Sequence, residues 1–118
     1  MKPENQRTIH RVISVFGERN QKMQALEELM ELQSALFENV HRGTANRSNI
    51  VEEVADVEVV LAQIKEIFDI RPNEIEQMQD YKLRRLDHTI EKYLSKHSQE
   101  KGSNKAEIQI DRETSNGR

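Results

Sequence analysis

Residues 49–68 read NIVEEVADVEVVLAQIKEIF. Ile50, Val54, Val57, Leu61, Ile64 and Phe68 recur at helical spacing over five turns, and Val51, Val59, Val60 and Ile67 widen the stripe. This stretch is an amphipathic helix, and it interrupts its own apolar face with acids. On a helical wheel Glu53 falls within or at the edge of the apolar arc, where an ionised carboxylate is costly unless partnered. Asp56 stands beside it at the flank of the stripe, and Asp is a poor residue for a helix interior. Residues three apart project from one face of a helix, so Glu53 and Asp56 form a pair.

Working back along the chain, a second acidic phrase, Glu27-Glu28-Leu29-Met30-Glu31, repeats the three-residue spacing at Glu28 and Glu31. It lies in a helix expected from about Arg19 to His41, whose apolar set (Met23, Ala25, Leu26, Leu29, Met30, Leu32, Leu36, Phe37, Val40) is wide enough to be covered on more than one side. Gly43 ends this helix, and Gly43 to Ser48 reads as a loop. Asn49 and Glu52 have the spacing of a capping box at the start of the next helix. A first helix spans Thr8 to Phe16 on the stripe Ile9, Val12, Ile13 and Phe16, with Gly17 as its stop and residues 1–7 expected to fray. Pro72 opens a fourth helix carrying Ile75, Met78, Leu83, Leu86, Ile90, Tyr93 and Leu94.

The fold expectation is all-α: an antiparallel bundle of about four helices over residues 1–97, completed by oligomerisation, with a flexible polar tail over 98–118. Leu, Ile, Val and Phe are about a quarter of the 118 residues, and all but Ile108 and Ile110 lie between Ile9 and Leu94. A net charge of −3 gives no basic field for nucleic acid. The absence of cysteine excludes disulfides, thiolate nucleophiles and Cys-based zinc sites. No apolar run approaches the ~20 residues that span a bilayer, and no signal-peptide pattern opens the chain, so a soluble cytoplasmic protein without membrane partners is expected.

Two helices laid side by side would bring Glu28, Glu31, Glu53 and Asp56 to one spot. Four anions there repel and call for a cation, and oxygen-only ligands suit Mg²⁺, with Mn²⁺ as a substitute. Against this, an acidic pair on a helix is ordinarily a solvated face, and the wheel puts Glu27 and Glu31 on the polar side. His10, His41, His88 and His97 have no ligand spacing and read as surface residues, while Met23, Met30 and Met78 read as core filler.

Glu27-Glu28-x-x-Glu31, a gap of twenty-one residues and then Glu53-x-x-Asp56 with its apolar helix resemble the MazG-like branch of the all-α NTP pyrophosphatases. The resemblance runs from about Ile9 to Leu94. It takes in Gln21 ahead of the first Glu, then Ala55-Asp56-Val57 followed by Leu61, Gln63 and Phe68. It closes on Tyr81-Lys82-Leu83-Arg84-Arg85-Leu86, which is similar to the family's K-x-x-R element. In many relatives an Asn stands just before that Lys; here Gln79, Asp80 and Tyr81 occupy the stretch.

The resemblance implies a homodimer or homotetramer that hydrolyses nucleoside triphosphates between the α and β phosphates. It makes Glu28, Glu31, Glu53 and Asp56 the Mg²⁺ ligands and catalytic set, and gives Lys82, Arg85 and Gln21 to the substrate. Lys82 and Arg85 read blandly are surface bases among Arg84, Lys92 and Lys96, and Glu27 and Glu52 read as solvated neighbours. A base pocket is expected from Ile13, Phe16, Gln21 or Gln24. The alternative from another class is a non-catalytic helical oligomerisation module with solvated or merely structural acidic pairs.

Overall fold

The computed structural model describes residues 1–100, with side chains through Ser98. Four helices make up the described chain, α1 (Pro3–Phe16), α2 (Glu18–Arg42), α3 (Arg47–Ile67) and α4 (Pro72–Glu100), and there are no strands among the described residues. The all-α expectation therefore holds. None of these helices is long and apolar enough to cross a membrane. Residues 98–100, expected as the start of the tail, continue α4; the remainder of the expected tail, Ile108 and Ile110 included, lies outside the described residues.

The chain forms two compact units, divided between Ile70 and Arg71. In the first, α2 and α3 pack side by side and α1 lies against both. The residues of α2 that turn inward are Gln21, Ala25, Glu28, Leu32 and Ala35, at alternating steps of four and three. Those of α3 are Ile50, Glu53, Val57, Val60 and Ile64, with the mirrored steps, and Gln63 is buried beside Ile64. Such spacing keeps one seam of each helix facing its neighbour. Ala25 and Ala35 are almost wholly buried, and their small side chains let the two backbones approach. The core is thin, since no large side chain is fully buried; Ile9 of α1 joins Val57 and Val60 of α3 in filling it. His10 on α1 pairs with Glu66 on α3 at 3.0 Å, and the Lys22 ammonium of α2 lies 4.9 Å from the Phe68 ring centroid.

Three local expectations are corrected. Residues 3–7 belong to α1, because Pro3 supplies the fixed φ suited to a first helical turn and Lys2 carbonyl accepts from the Asn5 and Gln6 amides. The Asn49–Glu52 capping box does not form: α3 starts two residues earlier, at Arg47, and Asn46 is its N-cap position without a side-chain cap. The Asn46 amide donates instead to the Ala35 carbonyl of α2 at 2.9 Å. Met23, Met30 and Met78, expected in the core, are about half exposed or more.

In the second unit, α4 begins with the Glu74 carboxylate accepting from the Arg71 amide at 2.7 Å, the return half of a capping box. Its Met78, Leu83, Ile90 and Leu94 are exposed.

Two glycines end α1 and α2, and a Cβ on either would meet open space, so any cost of substitution is conformational. Gly43 lies in the left-handed region (φ 65°, ψ 23°), whereas Gly17 sits at φ 91°, ψ 153°, which essentially only glycine occupies. Gly43→Ala should cost about 1 kcal/mol and Gly17→Ala roughly 1–3 kcal/mol, read from urea midpoints. Equal effects would show that the α1–α2 joint relaxes to another backbone form.

Candidate metal centre

The antiparallel register of α2 and α3 follows from their cross-contacts. Gln21 of α2 donates its side-chain amide to the Gln63 carbonyl of α3 at 2.6 Å. Seven residues forward on α2 and seven back on α3, Glu28 and Asp56 come within hydrogen-bonding reach of one another. Three further in each direction, Glu31 and Glu53 do the same. One stagger therefore generates all three pairs.

The result is a cluster in which Glu28, Glu31, Glu53 and Asp56 each present one carboxylate oxygen, all within 4.8 Å of one another. Glu53 is only 9% exposed and Glu28 and Asp56 are half-buried, while Glu31 opens to solvent. The placement of Glu53 agrees with its position in the apolar arc. Glu31, which the wheel assigns to the polar side, reaches the cluster from that edge, because a helix margin is where a long side chain can span solvent and interface. Gln24, one turn before Glu28, donates to Glu28 Oε1 at 2.8 Å and holds that carboxylate in place.

Two oxygens of this cluster, Glu28 Oε2 and Glu53 Oε2, are buried and have no hydrogen-bond partner. Buried polar atoms without partners are uncommon in folded proteins, and those of carboxylates are especially costly. Burial pushes the Glu28 carboxyl above its ordinary value of 4.5, and the charges of Glu31 and Asp56 add to this against the opposing hydrogen bond from Gln24. Glu53 is raised for the same leading reason, burial, then by Glu31, Asp56 and Glu28. A divalent ion among the four oxygens would relieve the repulsion. The donor set, carboxylate oxygens alone, fits a hard cation such as Mg²⁺.

A cleft of about 440 Å³ between α2 and α3 adjoins the cluster. Four acids, Glu27, Glu31, Glu38 and Glu53, line it together with Met30, Ser34, Ala35 and Asn49. Sequence reasoning placed Asn49 in a capping role and passed over Ser34; only the stagger of the two helices reveals that they face a common space. Of the residues expected around a base, Gln21 is buried in its bond to Gln63, Gln24 is engaged with Glu28, Ile13 is half-buried and Phe16 is exposed. Lys82 and Arg85 belong to the second unit, where both are exposed one turn apart on α4 and the Arg85 guanidinium lies 5.8 Å from the Tyr81 ring centroid.

Comparison with family models, with curated proteins and with solved structures gives no match to this chain.

The raised carboxyls make a signed prediction. A folded state that binds protons more tightly than the unfolded chain gains stability as pH falls, fully so below 4.5, and loses it as pH rises through the raised folded values. In EDTA the melting temperature should fall as pH rises through that window. Glu28→Gln/Glu53→Gln should flatten this slope and melt higher than the parent at neutral pH. An unchanged slope would show that neither carboxyl carries the perturbation.

Proposed function

We propose that this chain is a Mg²⁺-dependent nucleoside triphosphate pyrophosphohydrolase, cleaving (d)NTPs to the monophosphate and pyrophosphate in the upkeep of a nucleotide pool. The observation that carries the reading is the convergence of Glu28, Glu31, Glu53 and Asp56, two of which, Glu28 and Glu53, each have a buried, unpartnered carboxylate oxygen. The same four positions are the ones that the resemblance to MazG-like pyrophosphatases assigns to the metal. Water adds across the α–β anhydride and the bridging P–O bond breaks, so nucleoside monophosphate and pyrophosphate account for all atoms. A Mg²⁺ ion held there would neutralise the charge that develops on the phosphoryl oxygens. The four carboxylates would hold the ion, Gln24 orients Glu28, and the adjoining cleft, where Met30, Ser34, Ala35 and Asn49 stand among the acids Glu27 and Glu38, would take the nucleoside. The K-x-x-R pair is assigned to the polyphosphate, Arg85 through its forked donors and Lys82 as a point charge.

We further propose a homodimer or homotetramer. Leu26, Leu29, Phe37 and Val40 of α2, with Val51 and Val54 of α3, are apolar side chains left exposed. A second copy of the chain would cover them. They are also what a non-catalytic oligomerisation module would present, so turnover separates the two readings.

Incubation with a panel of NTPs and dNTPs should yield monophosphate and pyrophosphate with Mg²⁺ and nothing with EDTA. Glu53→Ala and Asp56→Ala should each abolish turnover while helix content is kept, and Lys82→Ala should raise KM roughly tenfold, the worth of one charge-assisted contact. No hydrolysis of any nucleotide would leave the module as the better reading. Sedimentation at micromolar concentration should give a dimer or tetramer mass; a monomer would sink the oligomer.

A further inference from the structure

Gln21 and Gln63 are 7% and 4% exposed, and their 2.6 Å hydrogen bond is the one buried side-chain pair joining two helices among the described residues. A buried amide is an odd choice between Ala25, Val57 and Val60. Apolar residues there would add burial without needing partners. The seam around the pair is nevertheless a weak guide to register. Its steps of four and three repeat every seven residues, and for the apolar members a slide of one repeat is tolerated, bringing Leu32 opposite Val60 and Ala35 opposite Val57.

The carboxylates lie between two cross-links. On one side of them, the Asn46 amide ties the start of α3 to the Ala35 carbonyl beside the short loop. On the other, about 10 Å beyond Glu28 and Asp56 at 1.5 Å per residue, stand Gln21 and Gln63. The repulsion within the cluster drives α2 and α3 apart at its own level, and the loop restrains only one end. At the other end, where Lys22 of α2 also lies over the Phe68 ring, the glutamine pair is the buried restraint, because sliding or opening would leave two buried amides unpaired.

We infer that Gln21 and Gln63 are positioning residues that set the stagger of α2 on α3, and that this stagger assembles Glu28, Glu31, Glu53 and Asp56 into one divalent-cation site. The inference rests on the proposed metal centre and gives Gln21 a role separate from any contact with substrate.

The test uses Mn²⁺ alone as the probe, titrated by electron paramagnetic resonance into the full chain, with melting in EDTA as the measure of stability. Gln21→Met/Gln63→Met removes both amides at nearly constant volume, so no orphan remains. It should melt at or above the parent yet bind Mn²⁺ at least about tenfold more weakly, about 1.4 kcal/mol. Gln63→Glu keeps an acceptor for the Gln21 amide at the expense of a buried charge. It should melt lower and bind Mn²⁺ within about threefold of the parent, a loss under about 0.7 kcal/mol. Affinity and stability thus move in opposite directions, which a purely structural pair would not produce. Parent-like Mn²⁺ affinity in the double Met variant overturns the inference while the metal centre stands. Affinity that simply follows melting temperature overturns it as well. Should the double variant not fold, Gln63→Glu decides: retention supports the inference, and loss in a folded protein overturns it. A parent that binds no Mn²⁺ removes the metal centre itself, and the inference with it.

Discussion

The first unit depends on one uncomfortable contact, the meeting of four carboxylates across α2 and α3. Like charges this close cannot all ionise freely in a partly desolvated place, and Glu28 and Glu53 respond by holding protons above their ordinary range. Everything nearby limits the damage. Gln24 donates to Glu28, Ala25 and Ala35 let the helices close, and hydrogen bonds lie on both sides of the cluster, one at Gln21–Gln63 and one at Asn46–Ala35. A helix pair selected for stability alone would replace this layer with leucine, since buried acids without partners cost more than apolar residues that pack.

The helices were legible because their signals are local. Apolar recurrence at three and four residues, Gly17, Gly43 and Pro72 mark four helices in the chain itself. Glu53 could be singled out from one strand of information, its position in an apolar arc, and it is the buried acid of the four. What failed was what depends on a neighbour. Asn49 and Asn46 are both plausible caps by residue type, and the difference is that Asn46 reaches the Ala35 carbonyl eleven residues upstream. Gln63 carried no more than a family likeness, because nothing local says that it will meet Gln21 across forty-two residues. Glu31 sits on the polar side of its own wheel and still joins the cluster, because the wheel describes one helix and the site belongs to two.

Stagger is the link between these successes and failures. Amphipathic period fixes which face of α3 meets α2, but a period of seven is indifferent to slides of seven. Polar pairs are not indifferent. The Gln21–Gln63 hydrogen bond is made at a single offset, and that same offset brings Glu28 to Asp56 and Glu31 to Glu53. A polar pair satisfied at one offset only gives a seam a preferred arrangement at some cost in stability.

The seam also accounts for the outer surface. Inward positions given to Gln21, Glu28, Glu53 and Gln63 are withheld from large apolar side chains, and none of those is fully buried. The apolar content that makes α2 and α3 helices in the first place lies instead on their flanks, at Leu29, Phe37, Val54 and Leu61, where the single chain leaves it half exposed. Hydrophobic burial is the main favourable term in folding, so a unit that spends its seam on carboxylates and amides must recover that term elsewhere. In the proposed oligomer it is recovered against a second copy. On that account the acidic seam and the uncovered flanks are two sides of one allocation of residues, since moving the apolar side chains inward would close the flanks and dismantle the carboxylate cluster together.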